Sequence, residues 1–165
     1  MMISVFVRWV CSVLPVSIFM MPLLSAAEFR AGRAQVVITP PIGSVMGNSY
    51  GNSVVAGVVS DLHAKAVVFE VGGVKAALVA CDLISLHPPI VRRARELIAS
   101  NTGVAPERVI LTATHCHAGP QTHPLFYALA GPEAQQLSAA YVAELPRLIA
   151  ESVRRAEADL QPARI

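Results

Sequence analysis

Apolar positions along the chain alternate between two periods, and the changes of period mark its elements. Residues 34–39 (AQVVIT) read as a short strand that Pro40-Pro41 stops, because proline cannot continue a hydrogen-bonded ladder. Residues 43–60 are rich in Gly, Asn and Ser and read as loop, a place suited to a binding surface. Residues 64–71 (AKAVVFEV) and 74–81 (VKAALVAC) are two strands, and Gly72-Gly73 between them predicts a hairpin. After Pro88-Pro89 the period lengthens: Ile90, Val91, Ala94, Leu97 and Ile98 form one helical stripe, opposite Arg92, Arg93, Arg95 and Glu96. Asn101 and Gly103 end that helix. Residues 108–114 (RVILTAT) are the most β-branched run and predict a buried central strand.

A Pro- and Gly-punctuated loop follows, and then a long helical region from Glu133 to about Asp159. Leu145, Leu148, Ile149, Ser152, Val153 and Ala156 form its buried stripe. Pro146 lies inside it, which predicts either a kink or two helices. Ala163-Arg164-Ile165 has the pattern of a further strand beginning. The order strand, strand, helix, strand, helix predicts an α/β layered domain, a mixed sheet with flanking helices. So few strands would leave apolar faces uncovered, so residues 28–165 are expected to be the first part of a larger domain.

The amino terminus follows a different pattern. Residues 1–27 carry one charge, Arg8, and a mostly apolar run from Trp9 to Leu24, followed by Ser25-Ala26-Ala27. A short apolar core behind a basic residue and before small side chains reads as a secretory signal, with cleavage expected after Ala27. Sixteen residues interrupted by Pro15 and Pro22 fall short of the ~20 that cross a bilayer, so no stable span is expected after cleavage. The expected location is secreted or periplasmic.

Charge then excludes one class of partner. Thirteen basic and eleven acidic side chains give a net charge of +2 without a basic block, so nucleic acid is not an expected partner. Cys11 leaves with the signal, and Cys81 and Cys116 are expected to be free thiols that behave as small hydrophobes.

Histidine carries the candidate chemistry. His115, His117 and His123 fall close together, and His63 opens the strand at 64–71. Alternation along a strand end would turn His115 and His117 to one face, and two converging imidazoles can seed a zinc site. On spacing alone a pair of hydrogen-bonded histidines explains the pattern equally well. His123, in a Pro-rich loop, reads as a surface histidine. Asp82 follows a strand at its carboxyl end, where it could either orient a ligand histidine or cap the turn before Leu83. The same alternation turns Cys116 away from the histidines and argues against a thiol nucleophile. There is no Gly-rich phosphate loop, no Gly-x-Ser-x-Gly elbow and no Cys-x-x-Cys.

Taken in order, these motifs resemble the amino-terminal part of the neutral/alkaline non-lysosomal ceramidases. The resemblance begins with Phe29-Arg30-Ala31-Gly32-Arg33-Ala34 and Val37-Ile38-Thr39-Pro40-Pro41-Ile42-Gly43. It continues through Met46-Gly47, Gly57, residues 61–66 (DLHAKA) and Ala80-Cys81-Asp82-Leu83. Its most specific part is Thr114-His115-Cys116-His117-Ala118-Gly119-Pro120, which resembles the family's Thr-His-Thr-His-Ser-Gly-Pro. The resemblance implies a zinc-dependent hydrolase of N-acyl amides, with a ceramide-like lipid as substrate. It implies His115 as a zinc ligand and His117 as a catalytic residue of the active site, with the remaining ligands outside this sequence. Val37, Cys116 and Ala118 stand where the family commonly has Asp, Thr and Ser, which bears on the substrate more than on the fold. A metallo-β-lactamase-type hydrolase is the rival enzyme, but its signature needs Asp and His where Gly119 and Pro120 stand. The remaining alternative is an inactive, truncated scaffold.

Overall fold

The strands form because alternate side chains meet a helical layer on one side only. The computed structural model describes residues 27–47 and 53–165. The proposed signal, apart from Ala27, and Cys11 lie outside the described residues. A five-stranded mixed sheet has the order β4-β3-β2-β1-β5. Its members are β1 (Phe29–Val37), β2 (His63–Val71), β3 (Val74–Cys81), β4 (Val109–Ala113) and β5 (Gln161–Pro162). The β1, β2 and β3 strands are antiparallel, with Val71 opposite Val74 across the Gly72-Gly73 turn. Both turn glycines have positive φ, 56° and 79°, which a Cβ would strain.

The β3 and β4 strands are parallel, so a crossover must join them. It is α1 (Pro88–Thr102), which ends at Gly103 in the left-handed conformation with its N–H donated to Ala99 O. After a four-residue helix, α2 (Pro124–Tyr127), comes α3 (Pro132–Ala158). One face of the sheet presents Ala64, Ala66, Val68, Ala77, Val79 and Cys81 to Ile90, Ala94 and Ile98 of α1 and to Leu145, Ile149 and Val153 of α3. The small alanines let the helices lie close, while each buried large aliphatic contributes roughly 1.5–3 kcal/mol. The opposite face leaves Val71, Val74, Leu78 and Ile110 exposed, as a half-covered sheet must.

Several expectations change. The β1 strand begins five residues earlier than its apolar pattern, at Phe29, because each of its residues pairs with β2. The β4 strand is at the edge of the sheet rather than central, and Ile110 is 62% exposed. Its β-branched residues report a pleated surface and not a position in the sheet. The α3 helix is neither two helices nor ended by Pro146. The missing N–H forfeits the bond to Val142 O and the ring crowds that turn, costing about 3 kcal/mol. Burial of Pro146 with Leu145 and Ile149 offsets this. The final strand is Gln161–Pro162, paired with Ala31 and Arg30, and residues 163–165, where a strand was expected to begin, lie past its end. Among the described residues no helix is long and apolar enough to cross a membrane.

Candidate metal and hydrolase site

Parallel strands bring their carboxyl ends to the same edge, and here those ends are Cys81 and Ala113. The two loops that leave them run side by side. Thr114 N donates to Cys81 O (2.9 Å) and Cys116 N to Leu83 O (3.0 Å). A third segment closes the corner: Gln121 N donates to Val45 O, and Gly47 N to Gly119 O, each at 2.8 Å. Gly47 suits this close approach, since a Cβ would crowd Pro120 O at 3.1 Å and Ile84 Cγ2 at 2.9 Å.

His115 and His117 do come together, with ring centroids 4.9 Å apart and planes at 79°. Strand alternation is not the reason. The β4 strand ends at Ala113, and His115 has φ 61°, the one described residue other than glycine with positive φ. That left-handed turn sets the two rings edge to face. It also removes the alternation argument against Cys116, which is half-buried in the same turn.

The bond made by His115 fixes its chemistry. Its Nδ1 lies 3.0 Å from Ile84 O. A carbonyl can only accept, so Nδ1 carries a proton and in the neutral ring the Nε2 lone pair is left free, the form a metal requires. A second imidazole pair has the opposite polarity. His87 and His123 meet edge to face at 4.3 Å, and His123 Nδ1 accepts from Leu125 N as the N-cap of α2. Its Nε2 therefore bears the proton in the neutral ring. His123 is half-buried rather than simply on the surface. His87, just before Pro88-Pro89, was not legible as a partner because only the fold brings residues 87 and 123 together.

Asp82 is committed elsewhere. Its carboxylate accepts from His63 N (3.1 Å) and pairs with Lys65 Nζ (2.9 Å). Partial burial pushes this carboxyl up, but the Lys65 and His63 hydrogen bonds outweigh it and hold it below the usual range. His63 thus enters the corner through its backbone. Cys81 is fully buried, and that burial, with the nearby Asp82 charge, pushes its thiol up to about 12. Among the described residues no three His, Cys, Asp or Glu side chains converge on one point, and the His115–His117 pair is the candidate for holding a metal.

A cleft of about 390 Å³ reaches Ala118, the residue after His117, and is lined also by Pro40, Met46, Val54, Val58 and Leu62. Its lining is mostly apolar, and Ala118 belongs to the His115–Pro120 turn.

No protein-family model and no curated protein matches the chain. Among solved structures, it is similar to neutral ceramidase from Pseudomonas aeruginosa, with TM-score 0.69 and 26% identity over 84% of this chain and 23% of that one. It is similar also to a ceramidase complexed with C2, with TM-score 0.64 and 26% identity over 82% of this chain and 22% of that one. The chain spans less than a quarter of the length of either. The ceramidase resemblance carried by the motifs is thus present in the fold as well.

Proposed function

We propose that this chain carries the amino-terminal, metal-binding corner of an exported zinc-dependent hydrolase of N-acyl amides, of the ceramidase type. The observation that carries this reading is the placement of His115 Nδ1 against Ile84 O, which in the neutral ring puts the proton on Nδ1 and leaves Nε2 as a ligand. Zinc held there would supply a Lewis acid and an activated water for amide hydrolysis. His117, with its ring against His115, would hold or move a proton beside the reacting carbonyl. The apolar cleft next to Ala118 suits an acyl or sphingoid chain, consistent with a lipid amide such as ceramide. Catalytic zinc sites use three protein ligands and an open position. Turnover is therefore assigned to the protein in which further donors meet this pair, and not to residues 28–165 alone. Export rests on the amino-terminal run ending at Ala27.

The test combines zinc affinity, by competition with a chromogenic chelator, with fatty-acid release from a fluorescent ceramide. The chain is expected to bind zinc through His115 and to lose that binding in His115→Ala. Ceramide hydrolysis is expected from the protein with a complete donor set. Zinc affinity equal in both forms would overturn the metal assignment. Zinc binding without ceramide turnover in the complete protein would move the substrate to another amide or ester.

A further inference from the structure

The carbonyl that orients His115 is itself held in place. Along residues 81–85 four carbonyls accept from the neighbouring loop. Cys81 O accepts from Thr114 N, Leu83 O from Cys116 N, Ile84 O from His115 Nδ1, and Ser85 O from Thr122 Oγ1. The rungs at Cys81 and Leu83 are backbone to backbone, so any sequence in this conformation could make them. The rung at Ser85 is made by a side chain. Thr122 is fully buried, and its hydroxyl reaches Ser85 O at 3.0 Å. Its position is fixed independently, because Gln121 N is bonded to Val45 O and Gln121 Oε1 accepts from His123 N. Ser85 is exposed, so water would replace the lost donor without returning the carbonyl to one direction. The Ile84–Ser85 peptide, which aims Ile84 O at His115, thus lies between two held peptides, with Leu83 O bonded to Cys116 N before it and Ser85 O bonded to Thr122 after it.

We infer that Thr122 is a positioning residue: through Ser85 it holds the Ile84 carbonyl that keeps His115 protonated on Nδ1 and open on Nε2. Its hydroxyl bonds Ser85 O and neither imidazole of the pair. The meaning of this arrangement for catalysis rests on the hydrolase reading, but the tautomer can be measured without metal or substrate. Direct partners of a metal-binding histidine typically change metal affinity about 10- to 100-fold when removed, and Thr122, one bond further out, is expected to act at or below the lower end of that range.

The experiment uses the ¹⁵N-labelled chain, metal-free, at a pH where the imidazoles are neutral, and reads His115 by long-range ¹H–¹⁵N correlation. The wild type and Thr122→Ser are expected to show the Nδ1–H form. Thr122→Val, which keeps the shape and removes the hydroxyl, is expected to shift His115 toward the Nε2–H form and to weaken zinc binding by up to about 10-fold. Thr122→Ala removes the same hydroxyl without adding a methyl and decides the question should the valine variant not fold. An unchanged His115 tautomer in the folded valine or alanine variant would overturn the inference. So would a shift that Thr122→Ser does not prevent. A tautomer shift in a chain that binds no zinc in any form would sustain the role of Thr122 and defeat the zinc reading alone.

Discussion

Replacing His115 by Gly and, separately, by Ala isolates the backbone strain at the site. Both substitutions remove the ring, its contact with His117 and its bond to Ile84 O, so those losses cancel in the comparison. What differs is φ 61°. A side chain with Cβ in the left-handed region costs about 1–2 kcal/mol, which glycine does not incur. Against this, glycine loses more unfolded-chain entropy, about 0.4–1 kcal/mol. The difference leaves His115→Gly more stable than His115→Ala by roughly 0.5–1 kcal/mol. At an ordinary exposed position with negative φ the order is reversed, so the sign itself is diagnostic. Urea unfolding at fixed pH, with equal m-values for the two variants, reads it as a higher midpoint for glycine. Both variants are expected to lose zinc binding. An alanine variant as stable as the glycine variant, or more so, would refute the strained turn and remove the reason the two imidazoles meet.

Two further substitutions or probes test the surroundings. Gly32 lies under the end of α3, where a Cβ would sit 2.0 Å from Ala156 O and 2.7 Å from Leu160 N. Those are backbone atoms that no rotamer change can clear. Gly32→Ala is expected to cost about 3 kcal/mol and lower Tm by roughly 10 °C by calorimetry, and a neutral effect would place α3 farther from β1. With its thiol pushed up to about 12, Cys81 is expected to resist iodoacetamide at pH 8 by a thousandfold or more relative to an ordinary thiol (order of magnitude). Peptide mapping should find Cys116 labelled and Cys81 labelled only in denaturant, whereas comparable native labelling of both would contradict the burial of β3.

The parts of the fold legible in the sequence are those whose signals are local. The β2–β3 hairpin follows its alternation and Gly72-Gly73, and α1 follows its stripe between Pro88 and Gly103. The first half of β1 was not legible, because Arg30, Gly32 and Arg33 carry no apolar alternation. They become strand through pairing with Glu70, Val68 and Val67. Arg30 also bonds Glu70 and Leu160 O, and Arg33 N bonds Asp159, so this segment is held by residues far away in the chain. Gly32 reads as a strand breaker until α3 lies across it. The edge position of β4 was illegible for a related reason: composition records how a strand packs and not how many neighbours it has.

The candidate site shows the same division at finer scale. His-x-His was visible as a pair, but alternation was the wrong mechanism for its convergence, since the chain has left the strand and turned left-handed at His115. Two imidazole pairs of the same composition then acquire opposite properties from the direction of one hydrogen bond each. A carbonyl facing His115 Nδ1 leaves Nε2 open, while an amide N–H facing His123 Nδ1 places the proton on Nε2. No spacing rule distinguishes them, because the deciding atoms belong to the backbone of Ile84 and Leu125, whose side-chain identities are irrelevant to the bond. Metal binding at His123 Nε2 would require moving its proton to Nδ1, against the Leu125 N–H, and so giving up the α2 cap. His115 needs no such rearrangement. On the proposed reading, that difference, more than the number of histidines, favours the turn after β4 over the His87–His123 pair as the place for a metal.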